Sequence, residues 1–379
     1  MLTVAMIVKN EVETLERTVE SVREFVDGVI IGVDTESDDG TRDVAEKIAD
    51  KVIDINLSKE LAAKESVDDD PDWGFSKARN RVLDECSDQS WRLILDGHEV
   101  VHGGDKLDKI MESAAETGCD SVNAVIHFEP DENGIAQTIY SQVRILAPTV
   151  RYRNPIHNVP VTGRTFSPKG FIVEHRKKDQ SITSKKQRDV QRSDSSIEGL
   201  KKKVAENPGE PRSLFYLATA YKENARWQEA IQTYLQYLDV AFWKEERWHA
   251  RTNLGACYSV TGQKEKAREQ FSRALDEFPD MVEAYYYMAD MAYKGQKFRE
   301  AQVWLERCID MDVPECQLFV NPKVYMVDRY DLLAMVYNHL GEYEKAIETA
   351  QMALDVAPNA RIQNNVEIWS KLTGGKSAA

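Results

Sequence analysis

Hydrophobic and polar positions alternate in two different rhythms along this chain, and the change comes near residue 210. Before it, short β-branched runs are interleaved with amphipathic segments. Leu2–Val8, Gly28–Val33 and Val52–Ile55 have the length and branched content of strands. Between the first two, Leu15, Val19, Val22 and Val26 recur at helical spacing, which predicts a helix over Glu11–Phe25. The turn-forming run Thr35–Thr41 then leads into a second expected helix, Thr41–Ala49. Strand–helix–strand order of this kind predicts a mainly parallel sheet covered by helices. After Asp96 the rhythm shifts. Ser121–Phe128, Gln137–Leu146 and Gly170–His175 read as strands without long helices between them, so a more mixed half is expected there.

From about residue 211 the period is helical and it repeats. Leu217, Ala218, Tyr221, Ala230 and Tyr234 set a pattern of apolar, small and aromatic positions. Leu254, Gly255, Tyr258, Ala267, Phe271 and Ala274 repeat it, then Met288, Ala289, Ala292, Ala301 and Leu305, then Leu333, Ala334, Tyr337, Ala346, Ala350 and Ala353. The step from Leu254 to Met288 is 34 residues, and these positions resemble tetratricopeptide repeats. The other spacings are longer, which places insertions around Ala241–Trp248 and Cys316–Val327. Small residues let paired helices approach, and the aromatic ones fill the gap. Trp227, Trp243, Trp248 and Trp304 are expected to pack within the array. Such arrays bind a peptide, a partner protein or a second copy of themselves, so a homodimer through the repeats is one expectation.

Bulk properties narrow the class. The 379 residues suffice for two domains, and no run of about 18 apolar residues exists to span a membrane. The N-terminus lacks a basic leader and a small-residue cleavage site. Five scattered cysteines without a CxxC pair fit reduced thiols, so a cytoplasmic location is expected. The net charge of −15 disfavours nonspecific contact with nucleic acid or an anionic membrane. One local reversal stands out. Arg176–Lys203 holds ten Lys/Arg against four acids, either a solvated face or linker, or an anion-binding flap.

The candidate chemistry lies in Trp91–Val100, where an apolar run ends at Asp96-Gly97-His98-Glu99. A residue just past the carboxyl end of a strand sits where α/β domains bind ligands. There a carboxylate and an imidazole two residues apart can share one divalent cation, which can hold a diphosphate. A polar turn closing a strand is the bland alternative.

Four motifs in order, Met6-Ile-Val-Lys-Asn-Glu11, Val33-Asp-Thr-Glu-Ser-Asp-Asp-Gly-Thr41, Phe75-Ser-Lys-Ala-Arg-Asn80 and Leu95-Asp-Gly-His-Glu99, make the N-terminal half resemble family 2 glycosyltransferases. The fold so implied is α/β, of GT-A type with a Rossmann-like mixed sheet, followed by an all-α tetratricopeptide solenoid. The expected domains are 1–175, a basic linker or flap over 176–210, and about four repeats over 211–379. The layout is similar to bacterial and phage peptide S-glycosyltransferases, which implies the cytoplasm of a bacterial cell or phage-infected host.

The resemblance implies a UDP-sugar donor, with Val8, Asn10 and Glu11 lining the nucleotide pocket. Asp34 takes the place of a carboxylate that accepts hydrogen bonds from the base or ribose. Arg79 lies near the diphosphate or orders the metal loop. Arg188, in the basic run, is a further candidate for the phosphates. Asp-x-His here replaces the usual Asp-x-Asp, and that variant calls for a third ligand downstream, His157 or alternatively His175. Imidazole ligands favour Mn2+ over Mg2+. An inverting mechanism needs a general base, for which Glu99, Glu129 and Asp131 are candidates.

The function expected is metal-dependent inverting transfer from a UDP-sugar to a peptide or protein side chain docked with help of the repeats. A phage-type enzyme acting on a hydroxymethylated DNA base is the alternative, and a non-catalytic scaffold with a vestigial GT-A domain is a further one.

Overall fold

The computed structural model describes residues 1–57, 75–153, 159–176, 197–314 and 319–374. Contacts divide the chain into two compact units, the first covering Met1–Asp131 and Ala136–Asp179, the second holding the repeats.

The first unit is built on strands β1 (Leu2–Val8), β2 (Gly28–Asp34), β3 (Lys51–Ile55), β4 (Trp91–Leu95), β5 (Glu99–His102), β6 (Ser121–Phe128) and β7 (Thr138–Leu146). Four short strands follow: β8 (Tyr152–Arg153), β9 (Val159–Pro160), β10 (Thr165–Phe166) and β11 (Ile172–His175). The main sheet runs β3-β2-β1-β4-β7-β6-β11-β5, with β10 beside β6; β8 and β9 pair separately. β3, β2, β1 and β4 are parallel, β7 is antiparallel to both β4 and β6, and β5 is antiparallel to β11. The mixed second half expected from the sequence is thus this antiparallel extension.

Alternation along β1 explains the two layers. Leu2, Val4, Met6 and Val8 face a core shared with Leu15, Val19, Leu107 and Ile110, on the helices Leu15–Glu20 and Leu107–Glu116. Ala5 and Ile7 face the other core, shared with Ala78, Val82 and Leu83 of the helix Phe75–Asp84. Both faces of a central parallel strand are buried, which is why it reads as a continuous apolar run.

The first helix is shorter than its apolar spacing predicts, beginning at Leu15 and ending at Glu20, with a 3-10 turn over Arg23–Phe25. The reason is local. The backbone N–H of Glu11 donates to Thr41 Oγ1 at 2.7 Å and that of Val12 to Asp39 Oδ2 at 3.2 Å, so a neighbouring loop occupies these donors. Asn10, at φ 56°, turns the chain before them.

In the second unit, helix pairs follow the predicted repeat: Pro211–Glu223 with Trp227–Val240, Lys244–Val260 with Lys264–Glu277, Val282–Lys294 with Phe298–Glu306, and Arg329–His339 with Tyr343–Val356. Ala360–Gly374 follows the last pair. Every repeat position named above from Leu217 to Ala353 is buried. Gly255 shows why smallness matters, because a β-carbon there would lie 2.5 Å from the Phe271 ring. Trp248 is buried, while Trp227 and Trp304 pack partly against the repeat cores.

The insertion expected near Ala241–Trp248 adds to the helix Lys244–Val260, which is 17 residues long. The one before the fourth pair includes a π-helical turn, Val324–Asp328; 315–318 lie outside the described residues. The expected linker also changes. Residues 197–206 are helical, and Ile197, Leu200 and Val204 pack into the core of the first repeats, so the packed helical region starts before 211. Lys201, Lys202 and Lys203 lie on its solvated face. Among the described residues, no helix is long and apolar enough to cross a membrane.

Candidate functional site

Topology brings the strand ends together. β1, β2, β3 and β4 are parallel, so Val8, Asp34, Ile55 and Leu95 end at one edge of the sheet. β6 is reversed twice relative to β4 and so runs with it, and β11 runs parallel to β6. His175 at the end of β11 therefore reaches the same edge, as does Glu99 at the start of antiparallel β5, paired in register with it. The strand order reverses direction between β1 and β4, the place where open α/β sheets bind ligands.

The Asp96–Glu99 turn is closed by its own residues. Glu99 N–H donates to Asp96 O at 3.1 Å, and Asp96 N–H donates to Glu99 Oε2 at 2.9 Å. Gly97 passes so close to β1 that a β-carbon would stand 2.8 Å from Glu11 Cγ and 3.1 Å from Val8 Cγ1. His98 Nδ1 lies 3.0 Å from Glu11 Oε1, and its Nε2 lies 3.2 Å from Nε2 of His175. His175 Nδ1 in turn sits 3.3 Å from Glu99 Oε1, and its ring stacks on Phe128 at 4.9 Å. Asp96, Glu99 and His175 offer ligand-type atoms all within 4.8 Å of one another. His98 joins this group through His175.

Two arginines, Arg144 buried and Arg79 half-buried, set the electrostatics. Arg79 Nη2 lies 3.0 Å from Asp96 Oδ1, and Arg144 pairs with Glu99. Burial alone would raise the Asp96 carboxyl; the charges of Arg79, Arg144 and His98 outweigh it and hold it at about 2. Burial would likewise lower His98, but the hydrogen bond to Glu11 and the charges of Glu11, Asp96 and Glu99 raise it above its ordinary value. Arg79 keeps unused capacity: among the described residues, its buried Nε and Nη1 have no hydrogen-bond partner. Unpaired buried donors are costly, so such a group suits an anionic ligand.

The motif Phe75–Asn80 does two jobs. Arg79 reaches Asp96 and lies over the Tyr152 ring, 5.4 Å from its centre. Asn80 takes the Tyr152 N–H at 2.8 Å and donates to the Tyr152 carbonyl at 3.0 Å, as a strand partner would. The chain leaving Tyr152 toward His157 is anchored here, but His157 itself lies outside the described residues, as does Arg188.

The remaining sequence candidates are placed as follows. Val8 is buried at the end of β1, and Asn10 exchanges hydrogen bonds with Asp38 across the loop. Asp34 is buried at the end of β2, accepts the Glu36 N–H at 2.9 Å and faces the Lys9 ammonium at 3.2 Å. Glu99 is fully buried among Arg144, His175 and the Asp96 N–H. Glu129, at φ 44°, follows β6, where its N–H donates to the His175 carbonyl; Asp131 is exposed.

Arg144 and Tyr152 were not singled out from the sequence. A charged residue inside the otherwise branched run Gln142–Leu146 was the available signal for Arg144. Nothing local marks Tyr152. Glu11 was assigned to the nucleotide pocket, yet its carboxylate holds His98.

Comparison with known proteins bears on the fold and the family. The model of glycosyl transferase family 2 matches residues 3–174, and tetratricopeptide repeat models match 215–281, 258–307 and 327–359. No curated protein sequence matches the chain. Among solved structures, MamA is 19% identical, covers 47% of this chain and 96% of its own, with a TM-score of 0.38. YrrB, described as a TPR protein with an unusual peptide-binding site, is 15% identical over 47% of this chain and 84% of its own, at a TM-score of 0.37. The Cut9–Hcn1 hetero-tetramer of the APC/C gives 15% identity, 49% and 34% coverage, and a TM-score of 0.40. These scores carry no argument about function. The N-terminal domain belongs to glycosyl transferase family 2, and the chain is a glycosyltransferase that carries tetratricopeptide repeats.

Proposed function

We propose that the enzyme transfers a sugar, with inversion, from a UDP-sugar to a side chain of a peptide or protein, using a divalent cation held by Asp96, His98 and His175. The observation that carries this reading is the 3.2 Å approach of the His98 and His175 Nε2 atoms, together with Asp96, Glu99 and His175 ligand atoms that lie within 4.8 Å of one another. His157 was the first expectation for the third ligand; His175 takes that role here because it meets His98. Two nitrogens and one oxygen favour Mn2+ over Mg2+. The cation supplies charge neutralisation for the departing diphosphate.

The chain's own groups do the rest. Arg79, fixed between Asp96 and Tyr152, has Nε and Nη1 available to donate to phosphate oxygens. Asp34, once exchanged from Lys9, accepts hydrogen bonds from the base or ribose. Glu99 neutralises Arg144 and orients the turn, which leaves Glu129 and Asp131 to accept the acceptor's proton. The repeats support docking of a macromolecular acceptor. The net charge of −15 favours a peptide over DNA.

UDP-sugar hydrolysis in the presence of manganese tests the reading. It is expected to depend on the ion and to vanish in Asp96→Ala; hydrolysis indifferent to both would overturn the metal assignment. Tight duplex binding that weakens steeply as salt rises would instead favour the DNA acceptor.

A further inference from the structure

Both imidazoles at the turn are held by their Nδ1 atoms, and by carboxylates. Glu11 Oε1 lies 3.0 Å from His98 Nδ1, and Glu99 Oε1 lies 3.3 Å from His175 Nδ1. A carboxylate only accepts, so in each neutral ring the hydrogen sits on Nδ1 and the lone pair on Nε2. The two lone pairs then face each other across 3.2 Å, with the rings at 88°. Two acceptors at that distance repel unless a cation or a proton lies between them. Metal–imidazole bonds of about 2.1 Å, meeting at an angle between a right and a tetrahedral one, place two nitrogens roughly 3.0–3.4 Å apart. The observed separation falls in that interval.

Both carboxylates are held by partners other than the imidazoles. Glu99 is fully buried, and its oxygens are taken up by Arg144, His175 Nδ1 and the Asp96 N–H. Glu11 accepts from Thr14 Oγ1 at 2.8 Å through Oε2 and meets His98 through Oε1. Each is itself anchored, which is what a group that aims another needs. Gly97 allows this arrangement, because a larger residue would push Glu11 off His98.

Resting on the metal assignment proposed above, we infer that Glu11 and Glu99 are positioning residues that fix the Nδ1–H form of His98 and His175 and aim both Nε2 atoms at one cation. Glu11 thus serves the metal centre rather than the nucleotide pocket, and Glu99 orients His175 rather than acting as a base.

The test is cobalt(II) titration of the full-length chain, read by visible d–d absorption and by calorimetry, without donor or acceptor. Wild type is expected to bind one ion with a d–d band, and Asp96→Ala to lose it. Removal of an outer carboxylate typically weakens metal binding by about 10–100-fold, and Glu11→Ala is expected to do so. Glu11→Gln, whose amide oxygen still accepts from Nδ1–H, is expected to recover part of that loss. Circular dichroism checks folding; if Glu11→Ala does not fold, Glu11→Asp, whose shorter arm withdraws from Nδ1, carries the same test. Wild-type affinity and band in Glu11→Ala, or a Gln variant no better than Ala, would overturn this inference while leaving the metal site standing. Absence of binding by wild type would overturn both, leaving a histidine pair that shares a proton.

Discussion

Gly97 and Glu11 touch so closely that a β-carbon on one would stand 2.8 Å from the Cγ of the other. The contact ties the turn after β4 to the end of β1, and through Glu11 it reaches His98. Gly97→Ala is therefore expected to damage the site more than the fold. Overpacking costs about 1–3 kcal/mol of stability. On the metal assignment proposed above, displacing Glu11 is expected to lower manganese affinity and, with it, kcat/KM. Thermal melts beside a manganese titration check this; a variant with lowered stability and unchanged manganese affinity would refute the coupling.

Asp96 offers a pH signature. Its folded pKa of about 2 lies below the ordinary 3.8, so its charge contributes stability above pH 3.8 that is lost as pH falls through about 2. Asp96→Asn removes that contribution and leaves Arg79 without its carboxylate. The variant is expected to be less stable than wild type at neutral pH, and the gap to narrow between pH 4 and pH 2. Denaturant melts across that range provide the measurement, and a gap independent of pH would count against the pairing.

Much of this was legible in the sequence because period carries fold. The runs Leu2–Val8 and Ser121–Phe128 are strands as read, and the small and aromatic repeat positions from Leu217 onward all lie in helix cores. Asp96 and His98 were legible because an apolar run ended at them. His175 entered only as an alternative, since its approach to His98 depends on β11 lying next to β5, a long-range pairing that no local pattern encodes. Glu11 was not read as a partner of the turn, for a related reason. Its partner His98 is 87 positions away, and only the β1–β4 register brings the two together.

Asn80 makes two hydrogen bonds to the Tyr152 backbone and so holds the ring on which Arg79 rests. Asn80→Ala leaves a half-buried N–H and carbonyl without that partner, at a cost of about 1–3 kcal/mol. Arg79 then loses its platform, and affinity for UDP is expected to fall with stability. Urea unfolding and UDP calorimetry on the same variant check both. Full UDP affinity would show that Arg79 is held by Asp96 alone.

His98 predicts how metal loading follows pH. Burial would lower its pKa, but Glu11, Asp96 and Glu99 raise it above 6.5. In the metal-free protein, this protonated ring contributes stability that is complete below pH 6.5 and disappears as pH rises through the higher folded value. Metal binding has the opposite sign, because Nε2 must give up its proton to become a ligand. Manganese affinity is thus expected to rise with pH through the His98 pKa, with proton release on binding. The metal-free protein should lose a little stability over the same interval. Calorimetry in buffers of different ionisation enthalpy counts the released protons. In Glu11→Gln the loss of the anion lowers the His98 pKa, so the rise in affinity should shift to lower pH. An unshifted profile would mean that the proton lies on another group.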